Sequence, residues 1–345
     1  MSTDLRELLT AVAAGKVSGE VAELLVRGLV DPVGPAAAPA TAPAAPAPPR
    51  GPYALSRGQA ALWALHADDP QTVSYNLPLG LWLGEGVEED RLAEALAATV
   101  RRHPELGCSV RLDAAGPVQE VTHRTCEVTR LDLGHVTDGE FAARVHNLVR
   151  TPFDLEQDPL YRMWLVAAPG GTTLLLLVFH HLITDGVSSH LLLRDIVACY
   201  DALAAGRELP PVEPAASYAE FVDWQRTMLA APEAEEHRRW WLDRLTGAST
   251  APVLEALADR RRGGAASRVR GEMVQLRLPH STWAAVQDTA RQGGLTPFSV
   301  VLGAFLALLH RHSGHRDLSV MVPTDGRPAQ RFDRTVGYLI NPVVL

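Results

Sequence analysis

The chain reads as an α/β protein with mixed sheets, and three features of the sequence predict this. Short apolar runs with the bulk of buried strands, such as residues 173–179 and 77–83, alternate with segments whose apolar residues recur at helical spacing. No self-similarity of solenoid period interrupts that alternation. At 345 residues, nearly half of them apolar, the chain is also long enough for two packed lobes.

Residues 4–14 carry Leu5, Leu8, Leu9 and Val12 at helical spacing and stop at Gly15, a residue suited to a C-terminal cap. Ser18 is placed to cap a second short helix bearing Val21, Leu24 and Leu25. Isolated helices shorter than about 12 residues are marginal in water, so these two stripes need a partner. Residues 31–52 are dominated by Pro and Ala. Repeated proline removes backbone donors and favours extended polyproline II, so this stretch is a semi-rigid linker. The first 30 residues are therefore a small helical module tethered to the main body.

From Tyr53 onward strands and helices mix. Leu77, Leu79, Leu81 and Leu83 alternate as a strand requires, and the next segment, from Glu89 to Arg102, sets Leu92, Leu96 and Val100 on one helical face. Residues 173–179 form an apolar strand, and from Leu191 a helix follows with Leu192, Ile196, Cys199 and Leu203 on its stripe. Residues 275–278 alternate as a short strand. Thr296 and Pro297 supply an N-cap and a first-turn proline for a helix that runs through Phe298, Leu302, Phe305, Leu306 and Leu309 to Gly314. Residues 320–322 and 338–340 read as later strands.

Composition excludes several function classes. The net charge of −8, without a long block of Lys or Arg, offers no surface to nucleic acid or to an anionic membrane. Cys108, Cys126 and Cys199 are odd in number and lack C-x-x-C spacing, so neither a disulfide framework nor a zinc site is expected, and a reducing cytoplasm fits. The N-terminus lacks the pattern of a signal peptide, and no stretch reaches the ~18 apolar residues of a membrane span. A soluble cytoplasmic protein is expected. His310, His312 and His315 cluster near a helix end without an acidic ligand, where the helix dipole already favours imidazoles, so no metal is assigned to them. No P-loop, G-x-G-x-x-G or G-x-S-x-G pattern is present.

The run His180-His181-Leu182-Ile183-Thr184-Asp185-Gly186 lies where the apolar strand stops and the helix begins. An imidazole held there by a rigid sheet offers a neutral nitrogen to a proton near physiological pH, since its unperturbed pKa of about 6.5 needs little tuning. Asp185 either meets a ring nitrogen or pairs elsewhere to fix the loop.

His-x-x-x-Asp-Gly resembles the signature of the condensation-domain superfamily of nonribosomal peptide synthetases, relatives of chloramphenicol acetyltransferase. Four further stretches resemble the family's motifs in the right order. Leu55-Ser56 with Gln59, Leu62, Trp63 and Leu65 is similar to the first, Arg102-His103-Pro104-Glu105-Leu106 to the second, Tyr218 through Trp224 to the fourth, and Val336-Gly337-Tyr338 with Asn341-Pro342 to the fifth. Gly107-Cys108-Ser109-Val110 stands where the family usually has Arg-Thr-x-Phe, so no role of that Arg is carried over. Asp185-Gly186-Val187-Ser188 also resembles epimerization domains, yet the first motif and Val73-Ser74-Tyr75-Asn76 favour condensation.

The resemblance implies a two-lobed, V-shaped, chloramphenicol-acetyltransferase-like fold. The helical docking segment would be residues 1–30, with Leu5, Leu8, Leu9, Val12, Leu24 and Leu25 as docking residues, and the linker residues 31–52. The N-terminal lobe would be residues 53–225 and the C-terminal lobe residues 226–345, the latter incomplete because the family continues past the fifth motif. It implies amide formation between an acyl thioester on an upstream donor carrier protein and an aminoacyl thioester on a downstream acceptor carrier. Both would be presented on 4′-phosphopantetheine arms, with no cofactor bound directly, in a larger multidomain synthetase. By resemblance His181 is the catalytic residue, facing the amine, while His180 packs at the strand end and Gly186 brings backbone N–H near the reacting centre. Asp185 pairs with Arg327 in a structural role, and Asn341 lines the tunnel. Two other readings are kept: a stand-alone O- or N-acyltransferase of the same superfamily, and a non-catalytic carrier-docking scaffold.

Overall fold

The computed structural model describes residues 51–248 and 276–345 apart from Ala115, His123 and Pro214. The docking segment and residues 31–50 of the linker lie outside the described residues. The chain divides into two compact units: one extends through Ala234 and takes back Pro323–Asn341, and the other comprises Glu235–Val322 with Pro342–Leu345. The segment carrying the fifth motif thus packs, up to Asn341, within the first unit.

In that unit the order is β1 (Tyr53–Ala54), α1 (Arg57–Asp68), β2 (Asn76–Trp82), α2 (Glu89–Arg102), β3 (Cys108–Asp113), β4 (Gly116–Val121), β5 (Val128–Asp132), α3 (Asp138–Val149), β6 (Tyr161–Ala167), β7 (Thr173–His180), α4 (Gly186–Ala204) and α5 (Tyr218–Ala230). β7 is the spine of a four-stranded mixed sheet ordered β2-β7-β6-β5: it pairs antiparallel with β2, from Asn76 opposite His180 to Trp82 opposite Leu174, and antiparallel with β6, which pairs parallel with β5. Its residues from Leu174 to His180 are all buried, so both faces of the strand are covered, which accounts for an unbroken apolar run in place of an alternating one. β1, β4 and β3 form a separate antiparallel sheet.

α2 shows the amphipathic pattern read from the sequence, with Leu92, Ala95, Leu96, Ala98 and Thr99 buried, acidic Glu89 and Asp90 in its first turn and basic Arg101 and Arg102 in its last, where they complement the helix dipole. It packs against α4 through Ala95, Ala98 and Cys199, small residues that let the two backbones approach closely. Among the described residues three helices start with capping boxes, Ser56 with Gln59, Thr137 with Glu140 and Ser217 with Glu220, each satisfying two otherwise orphaned N–H groups.

The second unit contains α6 (Pro232–Leu245, most of it), α7 (His280–Gly293) and α8 (Pro297–Ser313). α8 has the expected ends: Thr296 accepts from the Ser299 N–H at 3.1 Å, Pro297 opens the first turn, and Gly314 closes the helix in the left-handed region at φ 73°. β8 (Met321–Thr324) and β9 (Asn341–Val344) pair with each other. No single helix among the described residues is long and apolar enough to cross a membrane.

Four expected elements differ. Residues 276–278 form no strand; Leu276 and Leu278 are exposed and have no partner strand among the described residues, and Gln275 lies outside them. Residues 338–340 are not a strand either: their backbone groups bond to side chains, the Tyr338 carbonyl to the Tyr218 hydroxyl and the Leu339 N–H to Asp185, and strand geometry begins only at Asn341. The strand expected over residues 320–322 instead spans Met321–Thr324. α4 starts at Gly186, well before Leu191, because Asp185 caps it by accepting from the Ser188 N–H at 2.7 Å; its polar first turn hides it from an apolar period.

Gly206 and Gly326 form a matched pair at φ 62° and 63°. A Cβ at Gly206 meets nothing within 4 Å, whereas one at Gly326 would lie 1.5 Å from the Leu339 carbonyl oxygen. Gly206→Ala is expected to cost about 1–2 kcal/mol from left-handed strain alone. Gly326→Ala must also displace backbone, so its thermal midpoint falls further or the soluble protein is lost; equal midpoints would refute the close approach.

Candidate active site

β7 delivers His180 and the start of a short 3-10 turn, His181–Ile183, and α4 leads away from it. The turn is tied down on several sides. The His181 N–H donates to the Tyr75 carbonyl at 2.8 Å, and the Gln59 amide of α1 donates to the Leu182 carbonyl at 3.0 Å. Gln59 is itself locked in a reciprocal, buried amide pair with Gln119 of β4, at 3.0 and 2.7 Å.

The two histidines have opposite environments. His180 is buried, 1 % exposed, among the rings of His66, Tyr75 and Phe153. Its Nδ1 accepts from the Leu182 N–H at 3.2 Å, which leaves the proton on Nε2, where no partner meets it among the described residues. Burial, reinforced by His66 and His181, pushes its pKa down to about 3, so the ring is neutral. His181 is partly exposed, and its Nδ1 lies 2.8 Å from the Thr184 carbonyl oxygen. A carbonyl only accepts, so Nδ1 carries the hydrogen; in the neutral ring Nε2 then presents its lone pair. The Tyr338 ring stands against this imidazole, 4.9 Å between centroids and 86° between planes.

Asp185 is wholly buried and organises the far side of the loop. Arg327 grips it with both terminal nitrogens, Nη1 to Oδ2 at 3.1 Å and Nη2 to Oδ1 at 3.2 Å, and the arginine side chain is itself only 3 % exposed. Asp185 also accepts from the N–H groups of Ser188 and Leu339. Four donors on two oxygens satisfy a carboxylate that would otherwise be prohibitively costly to bury. Arg327 also reaches the carbonyls of Asp325 and Thr335 and the Ser188 hydroxyl.

The structure therefore brings His180, His181, Asp185, Gly186 and Arg327 together. Asn341 makes none of these contacts: it is exposed at the start of β9, and its carbonyl accepts from the Thr324 hydroxyl at 2.7 Å. The docking residues Leu5, Leu8, Leu9, Val12, Leu24 and Leu25 lie outside the described residues. His310 is engaged locally, its Nδ1 2.7 Å from the His315 carbonyl.

Two residues of the site have roles that the sequence did not disclose. Ser188 uses its whole hydroxyl, donating to the Gly337 carbonyl and accepting from the Gly337 N–H and Arg327 at 3.0–3.1 Å. Tyr218 of α5 is buried, donates to the Tyr338 carbonyl at 2.7 Å and lies 2.9 Å from the Ser56 hydroxyl. A Ser three residues after an N-cap Asp was the available signal for the first; the second opens the stretch resembling the fourth motif, which marked its position but not its hydrogen bonds.

Asp185→Asn and Arg327→Gln are each expected to cost about 3–5 kcal/mol by leaving a buried partner unpaired, with the double variant losing much less than the sum. Additive losses in urea unfolding would refute direct coupling. His180 gives a pH dependence: its folded pKa lies below its ordinary 6.5, so below pH 6.5 the unfolded chain takes up a proton that the folded protein refuses until about pH 3. Stability is therefore lost as pH falls through that window. His180→Gln keeps an acceptor for Leu182 without titrating, and between pH 7 and 5 it should lose about 1–2 kcal/mol less than the parent; parallel curves would remove His180 as the cause.

Comparison with known proteins identifies the family. Residues 50–345 match the family model of the condensation domain. Phosphinothricin tripeptide synthetase PhsC of Streptomyces viridochromogenes is 35% identical over 319 residues, 90% of this chain but 29% of that protein, and polyketide synthase PksN of Bacillus subtilis is 31% identical over 83% of this chain and 5% of its own length. The chain thus spans less than a third of these relatives. Among solved structures, the first condensation domain of the calcium-dependent antibiotic synthetase, in complex with a substrate analogue, superposes with a TM-score of 0.74 at 24% identity, covering 86% of this chain and 68% of that one. With a family model matched from residue 50 to the last residue and a fold shared with solved members, this chain belongs to the condensation-domain family.

Proposed function

We propose that this chain joins a carrier-bound acyl group to a carrier-bound aminoacyl group, with His181 as the residue facing the attacking amine. The observation that supports this most directly is the state of the imidazole: Nδ1–H is committed to the Thr184 carbonyl, and no group among the described residues bonds to Nε2, which is left to meet a substrate. The amine nitrogen attacks the thioester carbonyl, the C–N bond forms, the C–S bond breaks, and the amine proton passes by way of Nε2 to the departing thiolate. Thiol and amide are the products, and the histidine ends as it began. Beside it, Gly186 opens α4 onto space in which a Cβ would meet nothing within 4 Å. First-turn N–H groups of a helix lack intrahelical acceptors, so those of Gly186 and Val187 are suited to the oxyanion that develops on the carbonyl.

His180 would take no direct part, since it is buried and neutral, and Asp185 and Arg327 would hold the loop. The two apolar stripes of residues 1–30, joined through a Pro-rich linker, support a docking role toward an upstream donor carrier protein; a downstream carrier would bring the acceptor, both within a cytoplasmic synthetase. Asn341, with Pro342 and the two valines after it, is assigned to substrate contact on resemblance alone.

His181→Ala is expected to lower the rate of amide formation from loaded carriers by about 10²–10⁴-fold while leaving the thermal midpoint nearly unchanged, because the side chain is partly exposed and makes one hydrogen bond. Turnover near that of the parent would refute the assignment.

A further inference from the structure

Tyr338 is held with unusual completeness for a residue outside a regular element. On one side the Gly337 N–H and carbonyl both engage the Ser188 hydroxyl at 3.0 Å. Its own carbonyl accepts from Tyr218 at 2.7 Å, and the next N–H, from Leu339, donates to Asp185 at 3.1 Å. The backbone has nowhere to retreat. Anything that presses on this residue must move its ring.

Gly58, in the first turn of α1, also borders the ring. A Cβ on Gly58 would lie 2.5 Å from Tyr338 Cε1 and 2.9 Å from Cδ1. Gly58 has ordinary helical backbone, where glycine is worse than alanine, so local conformation does not ask for it. The space taken by the tyrosine ring does.

We propose that Tyr338 is a positioning residue for His181, and that the missing side chain at Gly58 is what admits its ring to the site. The inference rests on the reading of His181 as the group facing the amine. The hydrogen bond from Nδ1 to Thr184 fixes one edge of the imidazole. A perpendicular ring at 4.9 Å supplies the second constraint, a wall against rotation about Cβ–Cγ, so that Nε2 keeps one direction. No hydrogen bond engages the Tyr338 hydroxyl among the described residues, so the ring and not the phenol is the working part.

The test is the single-turnover rate of amide formation by the full-length protein from loaded donor and acceptor carriers, followed across pH. Tyr338→Ala is expected to slow the reaction at least about tenfold, as loss of orientation at a reacting group does, and to displace the limb of the pH profile that His181 governs. Tyr338→Phe should restore both. Gly58→Ala should slow the parent comparably, yet add nothing once Tyr338 is Ala, because the new methyl then finds the space vacated. Combined with His181→Ala, Tyr338→Ala should have no further effect. If Tyr338→Ala fails to fold, Tyr338→Leu fills the volume without a ring face and carries the same expectation. A parental rate and profile in the alanine or leucine variant, or an undiminished Gly58→Ala effect in the double variant, overturns the proposal while leaving His181 in place. A parental rate in His181→Ala overturns both.

Discussion

A carboxylate with no exposure at all sets the terms for the rest of this site. Asp185 cannot stay charged in the interior without compensation, and the compensation comes from Arg327, 142 residues later, together with two backbone N–H groups. Each donor belongs to a different stretch of chain. Satisfying one carboxylate therefore fixes the start of α4, the turn at Gly326 and the extended segment through Leu339 at once. The pair contributes less to net stability than to specification, since an apolar replacement of similar volume would avoid the desolvation cost altogether.

On that frame the two adjacent histidines diverge. The strand end buries the first and denies it a proton; the turn that follows exposes the second and orients it through a carbonyl. His180 is the last residue of a strand covered on both faces, and His181 opens the turn just beyond that cover, which accounts for the difference without any special device. Gln59 and Gln119 extend the same logic to the turn's carbonyl, where a buried amide pair satisfies itself and has two donors to spare, one for Leu182 and one for the Ala54 carbonyl.

Much of the fold was legible because its signals are local. α2 declares itself by Leu92 and Leu96 with acids first and bases last, and α8 by Thr296, Pro297 and Gly314. β7 was legible as a run too apolar to face water on either side. Residues 338–340 misled because three bulky residues in a row look like a strand, while their hydrogen bonds in fact go to Tyr218 and Asp185, which no period encodes. Within the site, the histidines and Asp185 stood out as a motif, and the pairing with Arg327 came from family resemblance, not from spacing. Ser188, Tyr218 and the fit of Gly58 to Tyr338 were illegible for one physical reason: each joins positions more than a hundred residues apart through shape or a single hydroxyl.

The long span between Asp185 and its partners has a consequence for biosynthesis. When β7 and the start of α4 leave the ribosome, Arg327 and Leu339 have not yet been made. At roughly 5–20 residues per second, the carboxylate waits on the order of ten seconds or more for them. Until then the loop bearing His181 must remain wet at Asp185, whatever the state of the sheet beneath it. The order of synthesis thus makes the sheet early and the loop bearing His181 late, so that a chain broken off before Arg327 leaves Asp185 without its counter-ion.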